Sequence, residues 1–268
     1  VPTYTTNTRR DHAHILDNSG ARAVFVSNEK LLAPLVGAIG QTGLVEHVIG
    51  FDNLKRQQSG SFEYHAWKAL ITGDAAAARA AVDDRIARIE RSETACLIYT
   101  SGTGGAPRGV MQHHGAILCN VAGAAEVLIE DFGISDERFL SFLPLSHAYE
   151  HSGGQYLPIG VGAEIFYSEG LEKLASNIEE TRPTLMVVVM KQVEKQGKVA
   201  NFMMDAALKI AGNSKDGRKR LIDRPLDFLV EKTLRPKIRQ KFGGRIKAMV
   251  SGGAPLNPEV GNFFDAMG

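Results

Sequence analysis

"TLMVVV", residues 184–189, is the stretch on which the fold turns: behind Thr184 the side chains are apolar without a polar break. A half-buried strand alternates apolar and polar positions, whereas an unbroken apolar run of this length implies burial on both faces. Burial on both faces in turn calls for helices above and below a parallel sheet. Similar short runs recur outward from it, at 23–27 (AVFVS), 46–51 (EHVIGF), 95–99 (ACLIY), 138–143 (RFLSFL), 163–167 (AEIFY) and 246–250 (IKAMV). Helical patterns fill the intervals. The clearest runs from about Asp74 to Arg91, with Val82, Ile86 and Ile89 on one face and Asp83, Asp84, Arg85 and Arg88 opposite. This order predicts an α/β fold of mostly parallel sheets with helices on both faces. No internal repeat interrupts it.

The 268 residues are 44% hydrophobic and 23% charged, which suits a globular chain with a sizeable core. The net charge of +1 gives no global pull toward nucleic acid, and no nucleic-acid partner is expected. Cys96 and Cys119 sit in apolar sequence and read as reduced thiols of a cytoplasmic protein. No apolar run is long enough for a membrane span, and no charged-then-apolar leader opens the chain. The opening "VPTYTTNT" and the closing helical "GNFFDAMG" read as cuts through a longer chain, so an internal fragment is expected. From Lys191 to Phe242 the pattern is all helix and loop. Its basic "KDGRKR" (215–220) reads as a solvated loop, with an anionic membrane or phosphate contact as the alternative.

"YTSGTGGAPRGV" (99–110) follows a strand with four glycines, three hydroxyls and a cation. Bare backbone amides in such a loop, with a helix N-terminus behind it, cradle phosphate. The helix is expected from His113 onward. Ser101 and Thr103 carry hydroxyls for phosphate oxygens or magnesium, and Arg108 has the reach for a β- or γ-phosphate. The spelling fits neither a Walker loop, since no Gly-Lys-Ser/Thr triplet is present, nor a dinucleotide fingerprint, since Pro107 stands at its third glycine.

"LPLSHAYEH" (143–151) contains His147, Glu150 and His151, the inverted H-x-x-E-H zinc-peptidase spelling. Such a site needs one continuous helix through both histidines, yet Gly153 and Gly154 follow at once and no third ligand announces itself. No zinc is expected there. "AMVSGGAPLNPEV" (248–260) reads as a strand, a glycine turn and a helix capped by Asn257 with Pro258 in its first position.

Taken in order, these three segments resemble the motifs of adenylate-forming enzymes, the superfamily of AMP-dependent synthetases and ligases. Nearly the whole chain is most similar to bacterial long-chain fatty acyl-CoA synthetases. The usual glycine motif is Tyr-Thr-Ser-Gly-Thr-Thr-Gly-x-Pro-Lys-Gly-Val. Gly104 departs from its second threonine and Arg108 from its lysine, while Met190 and Lys191 replace a customary Pro-Arg.

The resemblance implies that residues 1–268 are the central part of the large AMP-binding N-terminal domain, with the small C-terminal domain absent. It implies ATP-dependent activation of a fatty acid to acyl-adenylate, then thioester formation with coenzyme A. Loading of a carrier protein and a non-catalytic nucleotide-binding scaffold are the alternatives. By the same resemblance Thr100, Ser101, Gly102, Thr103, Gly104, Gly105 and Arg108 surround the phosphates, with Thr103 the magnesium contact. Gly252, Gly253 and Ala254 flank the adenosine, and His147 lies beside the acyl carboxylate, His147 and Arg108 being the catalytic pair. Cytoplasmic location follows, with peripheral contact at the inner face of the membrane as its variant. This stretch alone is expected to be inactive.

Overall fold

Thr8 opens the first helix, α1 (Arg9–Ser19): its hydroxyl accepts from the Asp11 amide while the Asp11 carboxylate accepts from the Thr8 backbone. Gly20, left-handed at φ 65°, closes it. The structure is a computed structural model that describes residues 1–52, 54, 62–100, 106–188, 232, 235–252, 258, 261–262 and 264. The chain divides into two units, Val1–Cys119 and Asn120–Gly268.

In the first unit, β1 (Ala23–Val26) leads to α2 (Glu29–Thr42), which Asn28 caps through the Leu31 amide. Next come β2 (His47–Gly50) and β3 (Glu63–Ala66), giving a parallel sheet in the order β1-β2-β3. Leu16, Leu35 and Ile39 of the helices bury Val26 and Val48 from one side. The opposite face carries Phe25, Phe51 and Trp67, ring centroids 5.3–6.2 Å apart and all exposed. Among the described residues, helices therefore cover this sheet on one face. α3 (Trp67–Leu70) and α4 (Ala75–Arg88) follow. The expected apolar stripe of α4 is present, but Val82, Ile86 and Ile89 are exposed rather than buried. The helix is set instead by Asp74, whose carboxylate accepts from Ala76 and Ala77, and by the pairs Arg79–Asp83 and Arg88–Asp84.

β4 (Thr94–Thr100) and β5 (Arg108–His113) form an antiparallel hairpin, and α5 (His114–Phe132) begins only after it. This corrects the expected strand–loop–helix order. The segment after the glycines pairs back along β4 instead of coiling, so a strand separates loop from helix.

The second unit holds β6 (Arg138–Ser141), α6 (Ala148–Glu150), a π turn (His151–Tyr156), α7 (Leu157–Gly160), β7 (Glu164–Tyr167), α8 (Leu174–Thr181), β8 (Leu185–Val188) and β9 (Ala248–Ser251). Its sheet is fully parallel in the order β7-β6-β8-β9. All four residues of β8 are buried, as the apolar run predicts. Phe139 and Leu185 face Leu128 of α5 and Leu157 of α7, while Leu140, Met186 and Val188 face Ile178 of α8. Adjacent residues point to opposite faces, and here helices cover both. The fold is α/β, and its strands pair in parallel throughout except at β4–β5.

Cys96 is half-buried and Cys119 exposed, contrary to the apolar setting expected of the second. No described helix is long and apolar enough to cross a membrane. The basic segment at 215–220, with Met190 and Lys191, lies outside the described residues.

Candidate functional site

Thr100 and Arg108 are register partners, the last pair before the connection between β4 and β5. The glycine loop therefore leaves the sheet from Thr100 and returns to it at Arg108, which is exposed at the rim. Ser101, Gly102, Thr103, Gly104 and Gly105 lie outside the described residues. Both flanks are tied to α1. The Tyr99 hydroxyl donates to Asn18 Oδ1 at 2.6 Å, and His14 Nε2 donates to the Pro107 carbonyl at 2.8 Å. The His14 and Tyr99 rings meet edge to face at 6.2 Å. Burial of Tyr99 pushes its phenol up, which keeps the hydroxyl a donor. The Tyr99 ring lies across Gly109, where a Cβ would stand 2.9 Å from Cζ. That proximity gives the motif's last glycine a packing reason.

Antiparallel pairing also removes the expected helix dipole from the loop. β5 spans about 17 Å at ~3.3 Å per residue, so α5 starts at the far end of the hairpin. Charge for an anion at this loop has to come from backbone amides and from Arg108.

His147 caps α6. Its Nδ1 accepts from the Tyr149 amide at 3.2 Å, which leaves Nε2 as the N–H donor of the neutral exposed ring. Tyr149 connects this segment to the third motif. Its hydroxyl donates to the Val250 carbonyl at 2.8 Å, and its ring fills the space beside Gly252, where a Cβ would stand 2.5 Å from Cε2. Gly253 and Ala254 lie outside the described residues. Gly252 thus owes its missing side chain to Tyr149, a residue that sequence reading did not single out.

His147, Glu150 and His151 do not gather as metal ligands. Glu150 turns inward, fully buried, its Oε1 accepting from the Ser141 hydroxyl at 2.5 Å and its Oε2 without a partner. His151 is half-buried against the Tyr156 ring rather than exposed. Gly153 and Gly154 do not end the helix. The chain widens there into the π turn and continues into α7, and a Cβ on Gly154 would run into the Glu150 carboxylate.

Burial pushes the Glu150 carboxyl above the usual carboxylate range, against the pull of Ser141 and of the Phe142 and Leu143 amides. A carboxyl raised in the folded state stabilises the fold fully only below its unfolded value, near 4.5, and yields that contribution as pH rises through the folded value. Glu150→Gln keeps the neutral form at every pH. Its Tm is expected to gain on wild type between acid and neutral pH, as paired melting curves across that range will show. A constant Tm difference would contradict it.

The AMP-binding enzyme family model matches residues 1–268. The chain is 32% identical over 182 residues to the peroxisomal long chain acyl-CoA synthetase 7 of Arabidopsis thaliana, covering 64% of this chain and 25% of that protein. It is 26% identical over 290 residues to the long-chain-fatty-acid–CoA ligase FadD15 of Mycobacterium tuberculosis, covering 100% of this chain and 45% of that one. The chain therefore spans less than half the length of either relative. The adenylation domain of a carboxylate reductase from Mycobacterium chelonae shares the fold at a TM-score of 0.63 and 18% identity, over 99% of this chain and 41% of that one. A match along its whole length, on a parallel α/β frame with a glycine loop closed by Thr100 and Arg108, places the chain in the adenylate-forming family of AMP-binding enzymes.

Proposed function

We propose that this chain is the nucleotide-gripping part of an ATP-dependent fatty acid–coenzyme A ligase. The observation that carries the reading is the β4–β5 hairpin, which fastens both ends of a glycine and hydroxyl loop and sets Arg108 at its rim. The long-chain acyl-CoA synthetase names among the relatives support the fatty-acid and coenzyme A parts.

In this mechanism a carboxylate oxygen attacks the α-phosphorus of ATP. A P–O bond forms to the acyl group as the bond to the bridging oxygen breaks, and pyrophosphate leaves with that electron pair. The thiolate of coenzyme A then attacks the acyl carbon, and AMP departs. Such chemistry is mostly positioning and charge neutralisation. The loop amides, Thr100 and Ser101 hold phosphate oxygens, and the Arg108 guanidinium opposes their charge in a planar fork. The His147 Nε2–H donates to the reacting carboxylate and to the charge that develops beside it. Gly252, Gly253 and Ala254 lie along the adenosine. Magnesium would add charge neutralisation at the phosphates. Its assigned ligand, Thr103, is outside the described residues, and no step is routed through it.

The test is carboxylate-dependent pyrophosphate exchange by the full-length protein with ATP, magnesium and a panel of fatty acids, followed by addition of coenzyme A. Exchange with acyl-CoA formation supports the ligase. Exchange without a coenzyme A product turns the second half-reaction toward a carrier-protein thiol, and no exchange with any acid leaves a nucleotide-binding scaffold.

His14 offers a finer check. Removing its bond to the Pro107 carbonyl costs about 1 kcal/mol, close to fivefold in the population of the fastened loop. His14→Ala is expected to raise KM for ATP severalfold with a smaller change in kcat. An unchanged KM would show that the α1 tether does not serve the nucleotide.

A further inference from the structure

On the first sheet the register gathers a group that nucleotide chemistry does not use. His47 of β2 pairs with Glu63 of β3, and His65 stands two residues further along β3. Paired residues share a face and so do alternate residues of one strand, so all three side chains leave the face opposite α1 and α2. Val48 and Tyr64, their neighbours, pack with the helical core instead. The ligand atoms converge. His47 Nδ1 lies 3.1 Å from His65 Nε2, and Glu63 Oε2 lies 3.6 Å from each. Ligand atoms held about 2.0–2.2 Å from one tetrahedral zinc ion stand roughly 3.4 Å from each other. The triangle thus has the size of three of the four corners. Among the described residues it is the group of His, Cys, Asp and Glu side chains arranged to hold a metal ion.

We propose that His47, Glu63 and His65 bind a zinc ion, or a divalent transition ion of similar preference, with the fourth position left to water. Two imidazoles and one carboxylate favour such an ion over magnesium or calcium, which call for oxygen ligands throughout. The ion would clip β3, the edge strand, to β2 and close the 51–62 connection between them. A surface site with both histidines half-buried suits a fastening role. This departs from the expectation that the chain holds no zinc, and it is independent of the reaction assigned to the glycine loop.

The test is calorimetric titration of the chelator-stripped full-length protein with zinc chloride, paired with cobalt(II) absorption. One equivalent is expected to bind, Tm to rise with zinc concentration by mass action, and cobalt to show the intense visible bands of four-coordination. His65→Gln and Glu63→Gln should each weaken binding tenfold or more, while His151→Gln leaves it unchanged. Glu63 is exposed, so its variant keeps the fold and reads binding alone. An absent equivalent, zinc uptake that survives both substitutions, or uptake lost in His151→Gln overturns the site.

Discussion

Arg108→Ala in the full-length protein is expected to lower carboxylate-dependent pyrophosphate exchange by about 10²–10³-fold, the range for removing a fixed donor aimed at developing charge. The loop stands away from the start of α5, so no helix dipole offsets the loss of the guanidinium. Arg108→Lys restores the ammonium that the family motif carries and should retain most of the rate, losing only the bidentate geometry. Arg108 is exposed on a hairpin rim, so Tm should move little in either variant. Steady-state exchange and melting curves on the three proteins separate catalysis from folding. An alanine variant that exchanges at the wild-type rate would remove Arg108 from the chemistry.

Gly252→Ala is expected to destabilise the protein by about 1–3 kcal/mol, the usual cost of forcing a carbon into filled space. The Tyr149 ring occupies the position that the new Cβ needs, and its hydroxyl is committed to the Val250 carbonyl. Burial, with the neighbouring Glu150 charge behind it, holds that phenol up at about 12, so it remains a donor at any working pH. The ring cannot swing aside without giving up this bond. Tyr149→Ala empties the space, so Gly252→Ala in that background should cost nearly nothing. A double-mutant cycle of thermal or urea unfolding therefore predicts a coupling close to the whole Gly252→Ala effect. Additive costs would mean that Gly252 is glycine for another reason.

Much of the frame was legible because the signal was local. The runs around Val24, Ile49, Leu97, Leu140, Ile165, Val187 and Met249 are β-branched or apolar and bounded by breakers, and each is a strand. β3 was missed because "EYHA" offers Glu, His and Ala, poor strand formers that gain their conformation only by pairing with β2. β5 was missed for a related reason: "RGVMQH" looks like the tail of a glycine loop until β4 is beside it. The site residues came from motif spelling, which names the loop but not what fastens it. His14 and Asn18 stand four apart on one face of α1, a readable spacing, yet nothing in the chain announces that this face meets residues 99 and 107. Tyr149 is a further case, since its bond to Val250 joins positions 101 residues apart. The metal trio had a faint trace in Glu63 and His65 at strand spacing, but His47 joins them only through register.

The π turn at His151–Tyr156 carries a consequence for how the sequence can vary. It accommodates one residue more than regular α winding would. Each residue of an α-helix turns the chain by about 100°, so a chain one residue shorter here would rotate His147 and Glu150 a quarter-turn or more against α7. The Glu150 carboxylate would leave its place beneath Ser141, and His147 would aim elsewhere. Evolution can exchange side chains along this stretch, but a one-codon deletion in it is closed to the lineage.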